Sequence, residues 1–462
     1  MKYVSTRGNS PAITFDAVIT SGLAPDGGLY MPTEIPKYPL ATIKGWKGLS
    51  YTELAFQIIK PFTGGYLSDA DLKAVIEKSY TGFDDPKIAP LKKLGKDEYL
   101  LELFHGPTLA FKDFALQMLG NLLDYKLTRE NEHVTIIGAT SGDTGSAAIE
   151  GCRKSDRVKI FMLHPNNRTS PIQRRQMTTI DSPNVYNIAL EGTFDDCQDM
   201  VKEMFNKPAF AGGKHLMAVN SINWIRIMAQ IVYYFYAYLQ LEPLPKSVAF
   251  SVPTGNFGDI FAGYVAYKMG LPINRLIVAT NANDILHRFF AKNDYSKGTV
   301  KPSLSPSMDI QVSSNFERLL YDLHSSNGKA VAKLMDGFKK TNKLSVDPTV
   351  LTLARSIFTS YSCDDAQTVK TIKAVHTECN EIICPHTAAG VAAANGTAHD
   401  KNSPTIVLAT AHPAKFIESM LKADVPIVKL PEKLKGIEDK PERFEVMPND
   451  FYTVTEYINK NL

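Results

Sequence analysis

Twice in this chain a short apolar run ends in a glycine-rich turn and passes straight into helical periodicity, and this restricts the fold more than any other feature. His133-Val-Thr-Ile-Ile-Gly-Ala-Thr140 predicts a strand, Ser141-Gly-Asp-Thr-Gly145 a tight loop, and Ser146 to Lys154 a helix. Ser247-Val-Ala-Phe-Ser-Val-Pro-Thr254 leads in the same way through Gly255-Asn-Phe-Gly258 into a helix from Asp259 to Met269. Strand-loop-helix units of this kind belong to parallel sheets covered by helices, so the expected fold class is α/β. Leu276-Ile-Val-Ala-Thr280 and Thr405-Ile-Val-Leu-Ala-Thr410 read as further buried strands, and 292–306 as a polar surface loop or linker.

At 462 residues the chain exceeds one hydrophobic core, which stops growing near ~250 to 300 residues. Residues 1–95 carry helical patterns at Tyr51 to Pro61 and Ser68 to Tyr80, and predict a mainly helical N-terminal domain. Residues 96–462 predict the α/β region, interrupted by a smaller α/β domain at about 110–225. A cleft between the two α/β parts would permit closure over a ligand. Charge is nearly balanced, 51 basic against 48 acidic residues without a long like-charge block, which argues against nucleic acid as a partner. The stretch Ile225 to Leu241 contains Arg226 and Gln230 and falls short of the ~20 apolar residues of a membrane span, so a buried helix is expected and no membrane. The five cysteines form no C-x-x-C pair, and the first ten residues resemble neither a secretory signal nor an import leader; both point to the cytoplasm.

A loop between a strand end and a helix start presents unpaired backbone N–H groups and the positive end of the helix dipole, which together bind anions. Neither loop continues as G-K-[ST] nor matches G-x-G-x-x-G, so nucleotide binding through those motifs is disfavoured. In Leu101-Glu-Leu-Phe-His-Gly-Pro-Thr-Leu-Ala-Phe-Lys-Asp-Phe-Ala115, Pro107 and Thr108 predict a helix start that places Lys112 near the first turn. There the helix end and the flanking Phe111 and Phe114 would lower the amine's pKa, as a nucleophilic lysine requires. On spacing alone, plain turns and a lysine exposed beside Asp113 are the simpler readings.

The segment H-G-P-T-x-A-F-K-D-F-A at 105–115 resembles the cofactor-lysine segment of the threonine synthase family. It is followed in order by A-T-S-G-D-T-G (139–145), N-S-I-N-W-x-R (220–226), P-T-G-N-F-G-D (253–259), S-N-F-E-R (314–318), P-H-T-A (385–388) and T-A-H-P-A-K-F (410–416), all similar to that family. The opening region, with Gly27-Gly-Leu-Tyr-Met-Pro32, resembles its N-terminal domain. The resemblance implies a fold type II pyridoxal-phosphate (PLP) lyase that converts O-phospho-L-homoserine and water to L-threonine and phosphate. It implies Lys112 as the cofactor-bearing catalytic lysine, Gly255, Asn256, Phe257, Gly258 and Asp259 as the cup for the cofactor's phosphate, and Thr410 against its ring nitrogen. Ser141, Gly142, Asp143, Thr144 and Gly145 would hold the substrate's carboxylate, and Asn315, Arg318 and Lys415, with Arg226 and Ser314, are candidates for its phosphate. A phospholyase releasing phosphate and 2-oxobutanoate, or another fold type II lyase or dehydratase, is the alternative. His105, His386 and His412 lie in the matching segments without metal-ligand spacing, so packing histidines are expected and no metal. The oligomeric state is left open.

Overall fold

In the computed structural model, which describes residues 1–400 and 402–462, the two strand-loop-helix units stand in two different sheets. The larger sheet has six strands in the order Phe358–Ser362, Ile273–Thr280, Val248–Pro253, Thr405–Ala409, Glu98–Glu102, Leu91–Lys93. Its neighbours run parallel except the last pair. Val248–Pro253 is buried at all 6 positions, as a strand covered by helices on both faces must be. The smaller sheet has five parallel strands, Glu445–Pro448, Val185–Glu191, Val158–Pro165, Val134–Ala139 and Leu216–Ala218. One of them is contributed from near the C-terminus, far outside the 110–225 stretch. The carboxyl ends of the parallel strands open into the loops at 103–111, 140–142, 254–257 and 410–412, where ligands bind in sheets of this class.

Each residue of the helix Trp224–Leu239 is buried. It lies among the helices Tyr51–Ile59, Lys112–Glu130 and Gly258–Lys268, which explains why its sequence has no polar face. Among the described residues no helix is long and apolar enough to cross a membrane. The N-terminal helices are locally well specified. Ser50 and Glu53 form a capping box, and Ser68 accepts the N–H of Asp71. They press Tyr51, Tyr80 and Phe83 against Phe114, with ring centroids 5.5, 6.0 and 4.8 Å away, so the N-terminal region braces the turn that carries Lys112.

One local expectation needs correction and a second gains detail. The helix after Ser141 begins at Asp143 rather than Ser146, because Gly142 at φ +146° makes the turn within one residue. The 292–306 segment does run over the surface, exposed from 297 to 302, but it is anchored to the core at both ends. Tyr295–Ser296 pairs with Lys343–Leu344, Tyr295 is buried, and the Asn281 and Asn283 amides hold Ser303 Oγ and Lys301 O at 2.8 Å each. Two asparagines beyond a strand end satisfy polar groups that composition alone would leave to water.

Candidate active site

Lys112 is the first residue of its helix, not a residue within it. Its position is fixed from both sides. The N–H of Phe111 donates to Thr410 O at 2.9 Å and the N–H of His412 to Leu109 O at 3.1 Å, so the loop before the helix is laced to the end of the strand Thr405–Ala409. Leu109 takes φ +60°, a conformation costly for a branched side chain and held here by that lacing. The Asp113 carboxylate accepts both the N–H and the hydroxyl of Thr108 at 2.8 Å, closing the loop from within. Farther along the chain, Lys433 donates to His105 O (2.9 Å) and pairs with Asp84 (2.9 Å), clasping the same loop from outside.

The Lys112 amine is buried, and burial lowers its pKa to about 8; Asp143 pulls it back up, while Lys415 and Arg226 push it further down. Nζ lies 3.4 Å from Ser307 Oγ and 3.7 Å from Asp143 Oδ2. Ser307 in turn donates its N–H to His386 Nε2 at 3.3 Å. Burial drives the His386 pKa down to about 3, so the ring is neutral and free to accept that bond.

Ser307 also connects the lysine to the second loop. A Cβ on Gly255 would come within 2.8 Å of Ser307 O, so only glycine lets these segments meet. Phe257, at φ +63°, caps the helix Gly258–Lys268 in a left-handed turn. Among the described residues, the N–H groups of Gly255 through Asp259 find no acceptor, which leaves a cradle of donors at a helix N-terminus. Ser313 Oγ donates to Gly255 O at 2.5 Å, and Asn315 donates to Asn256 O from both its N–H and its amide at 3.1 Å, so the cradle's carbonyls are held back. The Asp259 carboxyl faces away, toward Tyr233 and Tyr234. Burial raises its pKa to about 7 against the lowering effect of both hydroxyls, and Oδ2 has no partner.

In the third loop, Thr140 Oγ1 accepts the N–H groups of Gly142 (3.0 Å) and Gly145 (2.8 Å), which leaves those of Ser141, Asp143 and Thr144 without an acceptor among the described residues. Asp143 Oδ1 meets Lys415 Nζ at 2.5 Å and accepts from Gln173 at 2.7 Å. Burial would raise this carboxyl's pKa, but Lys415 and Lys112 outweigh it and hold it well below the usual carboxylate range.

The structure thus brings Lys112, the Gly255–Asp259 cradle, the Ser141–Thr144 turn, Thr410 and Lys415 together. Arg318 is drawn elsewhere. It is fully buried and donates to Tyr30 O at 3.2 and 3.0 Å and to Ile222 O at 2.6 Å, tying the N-terminal region to the approach of the buried helix. Asn315 pairs with Arg318 and with the cradle, so both side chains are engaged by protein partners. Of these candidate cations, Arg226 has no carboxylate partner among the described residues. It is 4% exposed, Nη1 donates to Asn220 O at 2.9 Å, Nε has no acceptor, and burial without a carboxylate partner lowers its pKa to about 10. Sequence reasoning missed Ser307 and Gln173, which lie outside every motif, and read His386 as packing alone.

These residues fit PLP. An aldehyde cofactor needs an enclosed amine of lowered pKa, its phosphate needs a cradle the backbone can approach, and its ring nitrogen needs a hydrogen-bonding partner, which the hydroxyl of the buried Thr410 can be.

The comparisons with known proteins agree. Residues 2–80 match the threonine synthase N-terminus model, 86–410 the pyridoxal-phosphate-dependent enzyme model, and 387–458 the threonine synthase C-terminal model. A threonine synthase of Pseudomonas aeruginosa is 56% identical over 462 residues, covering 100% of this chain and 98% of its own. The crystal structure of PLP-bound threonine synthase from Brucella melitensis superposes with a TM-score of 0.97 at 46% identity, covering 100% and 99% of the two chains. That of yeast threonine synthase superposes at 0.95 and 41%, covering 100% and 98%. A fold built around a buried lysine, matched along nearly its whole length, leaves one conclusion: this chain belongs to the threonine synthase family, as a PLP-dependent lyase of fold type II.

Proposed function

We propose that this site converts O-phospho-L-homoserine and water into L-threonine and phosphate, with Lys112 as the residue that carries the cofactor and then moves the protons. The observation that carries the assignment is the largely enclosed Lys112 amine, its side chain 12% exposed, placed between two helix N-termini with unused N–H groups. Bound there, PLP would supply an electron sink for negative charge developing on the substrate's carbon chain. The N–H groups of Gly255, Asn256, Phe257, Gly258 and Asp259 would hold its phosphate, and Thr410 its ring nitrogen. The free N–H groups of Ser141, Asp143 and Thr144 suit the substrate's carboxylate, because Lys415 already neutralises the Asp143 charge.

For the substrate's phosphate the supported candidate is Arg226. Arg318 is spent on carbonyls and Lys415 on Asp143, whereas Arg226 is buried, unpaired and close enough for its charge to act on Lys112. With PLP bound, the freed Lys112 amine would take the Cα proton and, after shedding it, a Cβ proton. Arg226 would stabilise the phosphate leaving Cγ; one proton would then return to Cγ, water would add at Cβ, and a second proton would return to Cα, so that two protons leave carbon and two come back. The free state of all five cysteines supports the cytoplasm as the compartment, and the balanced charge supports a small molecule as the partner rather than nucleic acid.

Purified protein given PLP and O-phospho-L-homoserine should form threonine in step with phosphate, and Lys112→Ala should form neither. Phosphate accompanied by 2-oxobutanoate without threonine would establish a phospholyase instead.

A further inference from the structure

Whenever Lys112 acts as a base its amine must be free, and the group directly opposite that amine is the carboxylate of Asp143. The two carboxylate oxygens are divided. Oδ2 faces Lys112 Nζ at 3.7 Å, while Oδ1 takes Lys415 Nζ at 2.5 Å and the Gln173 amide at 2.7 Å. Lys415 is completely buried and is pinned a second time by donating to Thr108 O at 3.0 Å. Three charged groups from three elements therefore share a largely enclosed site, with Asp143 and Lys415 buried and Lys112 12% exposed. Lys112 begins its helix, Asp143 begins the helix that follows the small-sheet strand Val134–Ala139, and Lys415 closes the turn Pro413–Lys415 beyond the large-sheet strand Thr405–Ala409. In such a site each charge acts on its neighbours far more strongly than it would in water.

Resting on the reading of Lys112 as the cofactor-bearing base, we propose that Asp143 and Lys415 are a positioning pair that poises Lys112 between its proton-bearing and proton-free forms, Asp143 favouring the ammonium and Lys415 the amine. Without Lys415, Asp143 and Lys112 would form a simple ion pair and the lysine would hold its proton too firmly to take one from carbon. Without Asp143, the two lysines would face each other unneutralised, with Arg226 nearby, and the amine would be a weak base. The remaining titratable groups around the trio do not compete in the working range. His386 is kept neutral by burial, while Asp113, raised by burial to about 6, and Arg226, lowered by burial to about 10, titrate well to either side of the lysine.

The test uses the full-length chain freed of cofactor. The rate at which it captures added PLP is followed by absorbance from pH 6 to pH 11. The wild-type midpoint should lie near 8. Asp143→Asn, which keeps the shape, should lower the midpoint by about one pH unit, and Lys415→Met should raise it by about as much. Lys415→Arg, which keeps the charge, should leave it in place. In the reconstituted enzymes the acidic limb of the kcat/KM profile should move in the same directions. Equal midpoints in all variants, or shifts in one common direction, overturn the proposal, as does a wild-type midpoint at the ordinary lysine value, which needs no variant to fold. Capture of PLP by Lys112→Ala at the wild-type rate would instead remove the assignment of the lysine itself, a separate failure.

Discussion

At the scale of single residues, the site is defined as much by where charges are withheld as by where they stand. Asp259 lies in the first turn of the cradle helix, where a carboxylate is ordinarily welcome, yet burial raises its pKa to about 7. Between about pH 4 and pH 7 the folded chain keeps a proton that the unfolded chain has released, so this carboxyl's contribution to stability falls as pH rises through that window. Asp259→Asn should flatten that part of the profile, by at most about 4 kcal/mol across the window. Urea unfolding of wild type and variant at pH 4.5 and pH 7 checks it; equal differences at both pH values would refute it. The proton also has a consequence for function. Below that pKa, Asp259 adds no anion beside the N–H cradle.

Among the elements, Arg318 decides how the N-terminal region meets the rest of the fold. Its guanidinium satisfies the carbonyls of Tyr30 and Ile222 in a place water does not reach. Arg318→Met should therefore cost about 3 kcal/mol and release Asn315 from its partner, which loosens the cradle and weakens PLP binding. An unchanged melting temperature together with unchanged PLP affinity would contradict this. The sequence motif around Arg318 suggested a ligand for phosphate, because spacing reports that a cation is specially placed but not which acceptor it meets. Strands and their loops were legible for a different reason. A run such as Val248–Pro253 is apolar at successive positions, and a glycine that must meet another backbone, as Gly255 meets Ser307, leaves its mark in the chain. Ser307 and Gln173 left no such mark, since they acquire their roles only when distant segments converge. The pairing of Glu445–Pro448 with Val185–Glu191 was equally hidden, because the strand is short, half polar and separated from its partner by most of the large sheet.

For the whole molecule, the stretch from Pro431 onward joins both sheets. Lys433 clasps the loop before Lys112, the Glu442 carboxylate takes two hydrogen bonds of 2.8 Å from Arg174, and Glu445–Pro448 completes the small sheet. A chain ending at Leu430 should lose that edge strand, expose the Val185–Glu191 edge and melt lower, with PLP affinity reduced as the clasp disappears. Circular dichroism melting and cofactor titration of the truncated chain decide this; full PLP affinity without Lys433 would show the clasp to be dispensable.

The order of strands in the large sheet also sets a timetable for the newborn chain. Glu98–Glu102 has its parallel neighbour in Thr405–Ala409, which also separates it from Val248–Pro253. At translation rates of ~5 to 20 residues per second, the ribosome needs on the order of 15 to 60 seconds to make the roughly 300 residues between the two. Throughout that interval the strand leading to Lys112 has one bare edge, so the cofactor sheet closes only as synthesis finishes, and until then the nascent protein is a natural client for chaperones that shield unpaired strands.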